Sequence, residues 1–564
     1  MFCNQCGKEL PDDAMFCPEC GAKQEPVSAM PVNEAPAQPA SAAPSPEANP
    51  VAPTPEAAPA QTAPVIQPVP GAVPAQNPEK KNGFPFKIMI SVAAAVVVVI
   101  ILLAVLLSGK GDSGSYMEYA EDTLLYNYNI ESFFNLEGES EEVEDVSLYY
   151  TSSNGATTMY ITEDNRTLYY IDSKFKSTKI AEEVCGVWMS LTGEYAAYAV
   201  DEGDGSYTTT LYIYNVKSNK SEKIDTDVYA SDVCVSPSGK VVAYLKDYEG
   251  YTDNTLYIGG IGVECEKIDK DGCYPLAISD NAKKFYYISD DYKLYYFNGK
   301  ETDKIETDVN GMIYTNSTVS EIVFSKNDKT YYYNPKMEEP EKVAGDPVGS
   351  WVFPGNDSLQ VSLYTGRSCM IGKESLKDTV FVASGYLYWL DNKGTEAVKI
   401  VNSSYLSAYQ LSEDGNSLLY LDGGDLYKVA KFNQEMKSTV LYEEDYLDYF
   451  VASKDLSKVY VVTEDDEMYY YKNKKKLEKI SNDFEYDYDN LAYNESLKKI
   501  FYIEDDDLYA AGTTGKSKDV VMEEVYSVNS GFGGVVFSSY DEDEDTETYY
   551  FMDKKKPTQL FVVD

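Results

Sequence analysis

Four cysteines near the start of the chain have the spacing of a metal site. Cys3, Cys6, Cys17 and Cys20 read C-x2-C-x10-C-x2-C within MFCNQCGKELPDDAMFCPECGAKQ. Each C-x-x-C forms a tight turn that aims two thiolates at one point. Gly7 and Gly21 follow the two pairs, where the backbone must bend sharply. Four thiolates complete a tetrahedral Zn2+ site, and with no open coordination position the zinc is structural. Disulfides are the competing use of these residues, and a reducing cytoplasm disfavours them. Lys8 and Lys23 stand against Glu9, Asp12, Asp13 and Glu19. That local acidity argues against a nucleic-acid module and leaves two roles, binding a cytoplasmic protein or capping the terminus.

Residues 1–24 resemble the short zinc-ribbon domains found at the N-termini of many bacterial membrane proteins, and the next two segments fit that resemblance. Residues 25–86 are rich in Pro and Ala. Pro removes backbone donors and breaks helices, and little apolar surface is present to offset ordering entropy, so a disordered, semi-extended linker is expected. Within 87–108 the run IMISVAAAVVVVIILLAVLL (88–107) carries no charge. As a helix at about 1.5 Å per residue it reaches about 30 Å, the thickness of a hydrocarbon core. Lys80, Lys81 and Lys87 precede it, whereas Lys110 follows beside Asp112. The positive-inside rule then puts the N-terminus in the cytoplasm and the long C-terminal part outside. A cleaved signal peptide would have a shorter apolar core nearer the start, so an uncleaved anchor is expected. Ser91 and Ala95 have the small-xxx-small spacing that packs helices, against the plain alternative of a lipid-facing helix.

An acidic juxtamembrane stalk is expected over 109–146, and repeats over 147–564. The repeat anchor is an aromatic strand: LYYID (168–172), LYIYN (211–215), LYIGG (256–260), LYYFN (294–298), TYYYN (330–334), LYWLD (387–391), LYKVA (426–430), MYYYK (468–472), LYAAG (508–512) and TYYFM (548–552). Most steps are roughly 36–45 residues; the step from 330 to 387 is longer and holds an insertion or a degenerate copy. A turn and a second strand precede many anchors, as in SPSGKVVAYL (236–245), SDNAKKFYYI (279–288), SEDGNSLLYL (412–421), SKDLSKVYVV (453–462) and NESLKKIFYI (494–503). Ser or Asn opens the turn, Gly or Asp supplies its geometry, and Val, Ile, Tyr and Phe form the strand.

Two hairpins per repeat make a four-stranded blade. The unit resembles the WD-like repeats of TolB-type propellers, and LYWLD and LYYID resemble the YWTD-type repeat. The resemblance implies a mainly β fold, an extracytoplasmic β-propeller of about 8–10 four-stranded repeats in one ring or two. A linear β-solenoid is the structural alternative.

Composition limits the chemistry. The 564-residue chain has no His, only Arg166 and Arg367 as arginines, and a net charge of −45. Imidazole mechanisms and arginine-clustered anion sites are excluded, and nucleic acid is repelled. The 52 Tyr invite a carbohydrate- or peptide-stacking reading, but in repeated strands their rings pack between sheets and their hydroxyls reach an edge. The runs TEDDE (463–467), EDDD (504–507) and DEDEDTE (541–547) fall in expected hairpin turns. They could hold Ca2+ but match no recognised calcium loop, so solvated turns are the default. Cys185, Cys234, Cys265, Cys273 and Cys369 are odd in number, so at least one stays free unless paired between chains. Cys265 and Cys273 could close a short loop, with buried core thiols as the equal alternative.

Propeller enzymes add a hydrolase domain with a catalytic His, or an Arg cluster, and neither is present. Paired-carboxylate glycoside hydrolysis stays open on composition, yet no pair stands out. The chain is therefore expected not to be an enzyme. It is expected to be a single-pass membrane protein of a bacterial envelope, whose outer propeller is an interaction platform for a protein or peptide. An acidic ectodomain prefers basic or neutral partners. An envelope sensor is the second reading; the flexible linker argues against rigid transmission and permits clustering. A carbohydrate-binding or glycoside-hydrolysing propeller is the third.

Overall fold

The structure is a computed structural model. It describes residues 123–564 apart from 202, 204–207, 248–253, 271–272, 353–361, 365–366, 402, 404–405, 474–475, 482–483, 485–489, 513–517, 532–533, 542–543, 555 and 564. The chain divides into two units, 1–66 and 67–564, and all described residues belong to the second. The zinc-ribbon cysteines, the linker and the apolar run at 88–107 lie outside the described residues. Among the described residues no helix is long and apolar enough to cross a membrane.

Every aromatic anchor becomes the third strand of a four-stranded antiparallel meander. Leu168–Ile171, Leu294–Phe297, Leu426–Val429 and Asp507–Ala511 are examples, each bonded between the second and fourth strands of its sheet. Seven such sheets stand alone. Two more share the strand Lys220–Val235, which pairs backward through Lys220–Val228 and forward through Val228–Val235. The tenth carries two extra strands on its first strand. Numbered from the N-terminus, these are sheets 2 to 11, covering 146–181, 184–228, 228–270, 273–306, 309–344, 348–399, 406–442, 447–481, 491–522 and 525–563.

Register explains the tyrosines. In each sheet one aromatic of the second strand lies directly opposite one of the third. The pairs include Tyr160 and Tyr169, Tyr198 and Tyr212, Tyr287 and Tyr295, and Tyr420 and Tyr427. Their rings stack with centroids 5.0–5.2 Å apart. Facing aromatics are among the stronger cross-strand pairs. In several sheets the buried second-strand hydroxyl then reaches a fourth strand, its own or that of the preceding sheet, whereas the Tyr460 and Tyr502 hydroxyls have no hydrogen-bond partner among the described residues. Tyr160 donates to Ser177 Oγ at 2.9 Å, Tyr198 to Ser221 Oγ at 2.8 Å and Tyr287 to Asp269 Oδ2 at 2.7 Å. The ring buries apolar area while the hydroxyl keeps a partner, which Phe would not provide.

The turn between first and second strands is a repeated device. Ser236, Ser279, Ser412 and Ser453 each accept a hydrogen bond at Oγ from the backbone N–H five residues on. The third residue after each Ser takes a positive φ: Gly239, Ala282, Gly415 and Leu456. At Gly239 a Cβ would meet the Tyr195 carbonyl oxygen at 2.4 Å, so glycine is required there by contact as well as by φ. The turns also join neighbouring sheets. Ser238 N and Oγ both donate to Asp280 Oδ1, and Glu413 N donates to Lys454 O at 2.8 Å.

Sheet 1 is a three-stranded sheet, Leu125–Asn127, Ser132–Phe134 and Ser140–Glu142, formed by residues assigned above to the stalk. Its strands are only three residues long, and its one L-Y, Leu125–Tyr126, stands in a first strand with no turn-and-strand unit before it, so alternation never builds a readable pattern. Apolar clusters link each sheet to the next from sheet 2 to sheet 11. Sheet 1 completes the succession. Leu125 and Phe134 pack with Tyr549, Leu560 and Phe561 of sheet 11, while Tyr126 and Phe133 pack with Val146 and Tyr160 of sheet 2. No single sheet closes on itself; side-chain packing brings the last sheet against the first.

The long step between 330 and 387 is an insertion. Between the first strand of sheet 7, Val348–Val352, and its second, Thr379–Ala383, lies a hairpin, Ser362–Tyr364 with Cys369–Ile371. It pairs in parallel with the first strand of sheet 6, Tyr314 opposite Cys369.

Candidate docking rim and inserted hairpin

Alternating strand direction sorts the connections onto two rims. Second-to-third turns and the links between sheets share one rim, and first-to-second and third-to-fourth turns share the other. Backbone bonds tie the first set together: Glu163 N to Asp145 O at 2.9 Å, Leu447 N to Gly424 O at 2.9 Å and Val525 N to Asp506 O at 2.7 Å.

The three acidic runs all fall on this rim. Residues 464–467 join strands ending at Thr463 and starting at Met468; Asp505 and Asp506 join strands ending at Glu504 and starting at Asp507; and of the third run Glu544 and Asp545 precede the strand starting at Thr546, after the strand ending at Asp541. Asp505 and Asp506 both have positive φ, the type I′ geometry of a two-residue hairpin. Gly423 and Gly424, and Ser384 and Gly385, fill the same turn in sheets 8 and 7. Turn geometry is therefore met by Gly or Ser without a carboxylate in sheets 8 and 7, and the carboxylates exceed what that geometry requires. Lys293 and Ser289 hold the Asp291 carboxyl below its ordinary value on the same rim.

The same rim carries exposed aromatic surface. Tyr128, Tyr292, Tyr446 and Tyr526 are 46%, 54%, 52% and 40% exposed, and all four lie in its turns and links or at their edge. Three of these rings are held in place. Tyr128 stands edge-on to Tyr126 at 5.0 Å, Tyr526 edge-on to Tyr540 at 5.8 Å, and the Tyr446 ring covers Gly424, where a Cβ would meet it at 2.4 Å. Fixed exposed rings among carboxylates suit a cationic peptide surface, by cation–π contact and charge pairing.

The inserted hairpin is a second feature. The Arg367 guanidinium lies 3.7 Å from the centroid of the Tyr274 ring, and Ser368 Oγ donates to Leu276 O at 2.7 Å, both on the first strand of sheet 5. Leu363 and Met370 join the cluster of sheets 3 to 6. Beyond the hairpin, Glu321 accepts hydrogen bonds from Ser375 Oγ at 2.9 Å and Leu376 N at 2.6 Å. Burial pushes the Lys373 amine down to about 8, with Asp378 and Glu321 opposing. These contacts lock the insertion across sheets 5 and 6.

Cys234, Cys273 and Cys369 are buried, Cys185 and Cys265 are exposed, and none of the five is in a disulfide. Among the described residues no three acidic or Cys side chains converge as a metal site. Cys3, Cys6, Cys17 and Cys20 lie outside the described residues; their four thiolates are a donor set suited to Zn2+. The tyrosine positions on the rim were missed from sequence, because a Tyr in a turn looks no different there from a Tyr in a strand.

No curated protein matches the chain in sequence. Among solved structures, the tricorn protease matches at 12% identity, over 73% of this chain and 58% of its own, with a TM-score of 0.27. A prolyl endopeptidase matches at 12% identity, over 72% and 54%, with a TM-score of 0.29. A putative TolB from Agrobacterium tumefaciens matches at 14% identity, over 38% and 88%, with a TM-score of 0.25. The chain thus spans little more than half the length of the first two. At such scores the likenesses are faint, and the fold rests on the chain's own pairing and packing. They still correct one expectation. Two of the three are peptidases, so the inference that this chain is not an enzyme is withdrawn. Missing imidazole and scarce guanidinium remove particular mechanisms, but carboxylate, lysine and tyrosine groups remain. At the N-terminus the match is to a known domain: residues 2–24 are a zinc-ribbon domain.

Proposed function

We propose that the protein is a single-pass membrane protein whose β-sheet region is one closed propeller of eleven blades outside the cytoplasm. Its acidic rim receives a basic protein or peptide. The zinc ribbon stands in the cytoplasm and holds a structural Zn2+ on Cys3, Cys6, Cys17 and Cys20. The uncharged run at 88–107 and the lysines before it support the anchoring and the orientation. One observation carries the docking: the four exposed tyrosines fall on the rim where carboxylates exceed the needs of the turns. Exposed, rigid aromatics are the residue type that anchors interfaces, and a one-sign field speeds encounter with the opposite sign.

The test is affinity capture from envelope extract with the full chain and a variant carrying Tyr292→Ser, Tyr446→Ser and Tyr526→Ser. Partners bound through the rim are retained by the first and lost by the second, with unchanged circular dichroism. Equal retention rejects the rim as the docking surface.

A further inference from the structure

The opposite rim carries clusters of lysines. Lysines stand in or beside its third-to-fourth turns: Lys174 and Lys176 in sheet 2, Lys217 and Lys220 in sheet 3, Lys476 in sheet 9, and Lys554 and Lys556 in sheet 11. Lys174, Lys176, Lys217, Lys220, Lys476 and Lys556 are exposed. The acidic third-to-fourth turns are those of sheet 1, with Glu137 and Glu139, of sheet 6, with Glu338 and Glu339, and of sheet 7, with Asp391 and Glu396; the first-to-second turns on this rim mix Glu194, Asp280, Glu413, Asp414, Asp455 and Glu495 with Lys240, Lys283, Lys454 and Lys458. Strands of four to seven residues separate the rims by about 13–23 Å, more than one Debye length at physiological salt. The lysines therefore present a local positive field although the chain as a whole is strongly negative.

The chain also enters on this rim. Sheet 1 leaves through 143–145 on the acidic rim, where Val143 N donates to Glu131 O at 2.7 Å and Glu163 N to Asp145 O at 2.9 Å. Three antiparallel strands lie between that exit and the entry at Thr123, so the entry is on the lysine rim. Gly138, in the second turn of sheet 1, abuts Gln559, three residues after Lys556. The lysine turns of sheets 2, 3, 9 and 11 thus flank the entry on both sides, and the acidic turns of sheets 6 and 7 stand away from it. Fifteen residues, 108–122, separate the apolar run from Thr123, a reach of at most about 50 Å. That reach allows either rim to face the bilayer, and charge selects between them.

We propose that the lysine rim around Thr123 lies against anionic lipid headgroups of the membrane that anchors the chain. The acidic, tyrosine-bearing rim is thereby turned outward to its partner. This inference rests on the membrane-anchored reading. Lysines beside an anionic surface gain enough each to slow reaction of their amines by about fivefold.

The test reconstitutes the full chain in vesicles of phosphatidylcholine alone or of phosphatidylcholine with phosphatidylglycerol, and follows acetic anhydride labelling by mass spectrometry at low salt. Lys174, Lys176, Lys217, Lys220, Lys476 and Lys556 should label at least about fivefold more slowly in the phosphatidylglycerol vesicles, while Lys293 on the acidic rim labels equally in both. A variant with Lys174→Glu, Lys176→Glu, Lys476→Glu and Lys556→Glu should lose the difference at Lys217 and Lys220 and keep its circular dichroism. Equal labelling in a chain that floats with both vesicles overturns this proposal alone. A chain that floats with neither overturns the anchoring and this proposal together.

Discussion

Phe134→Ala tests whether sheet 1 closes the succession of sheets. Phe134 is 1% exposed and packs on Phe561 with ring centroids 4.6 Å apart, in a cluster with Tyr549, Phe551 and Leu560. A buried Phe removes about 150–250 Å² from water, worth about 4–6 kcal/mol at about 25 cal/mol per Å². Ala retains its methyl and the site collapses in part, so the loss is about 3–5 kcal/mol. Because Phe134 and Phe561 are more than four hundred residues apart in sequence, the damage should appear in both the first and the last sheet. Amide hydrogen exchange of the full chain in detergent is the assay. Protection should fall roughly a hundred-fold or more over 125–142 and also over 546–563. If it falls only over 125–142, the last sheet does not depend on the first, and the closure is wrong.

Other outcomes follow from the same geometry. Tyr287→Phe removes a hydroxyl bonded to Asp269 and should cost about 1–2 kcal/mol in denaturant unfolding; Tyr286→Phe removes a buried hydroxyl that has no partner among the described residues, and should be neutral or stabilising. Lys373, depressed to about 8 by burial, lowers stability most below pH 8, where the folded state must bury its charge. As pH rises from about 8 toward 10.5, the unfolded chain holds the proton that the folded one has released, and the deficit shrinks. Lys373→Met should therefore be about 1–3 kcal/mol more stable than the parent at pH 7, with the gain fading by pH 10; a gain independent of pH would contradict the assignment. The full chain should carry one zinc per molecule, lost in Cys3→Ser with Cys17→Ser and measured by metal analysis, while the exchange pattern of 123–564 stays the same.

The repeats were the readable part because each is marked twice. L-Y in the third strand and Ser with Gly or Asp before the second strand place strand identity and turn geometry in neighbouring residues. All ten anchors are third strands, and the five quoted turn-and-strand segments all lead into second strands. Sheet 1 was hidden because its strands are held by contacts with sheets 2 and 11, which no local pattern records. The role of the long step at 330–387 was open for the same reason: the parallel pairing of Cys369–Ile371 with Val309–Asn316 is a long-range contact. The acidic runs could be placed in turns from sequence. That they share one rim with Tyr292, Tyr446 and Tyr526, and that the lysine turns share the other, follows only once strand direction and sheet order are fixed. The zinc-ribbon spacing needed no fold at all, since four thiolates in two turns state their chemistry locally.

The central claim is that the acidic, tyrosine-bearing rim is where a partner docks. Carbodiimide coupling of the captured partner's lysines to the full chain, mapped by mass spectrometry, tests it most directly. The account predicts products at the carboxylates of 463–467, 504–507 and 541–547 and of the links beside Tyr292, Tyr446 and Tyr526, suppressed by high salt. Products concentrated on the third-to-fourth turns or the outer strands would contradict it.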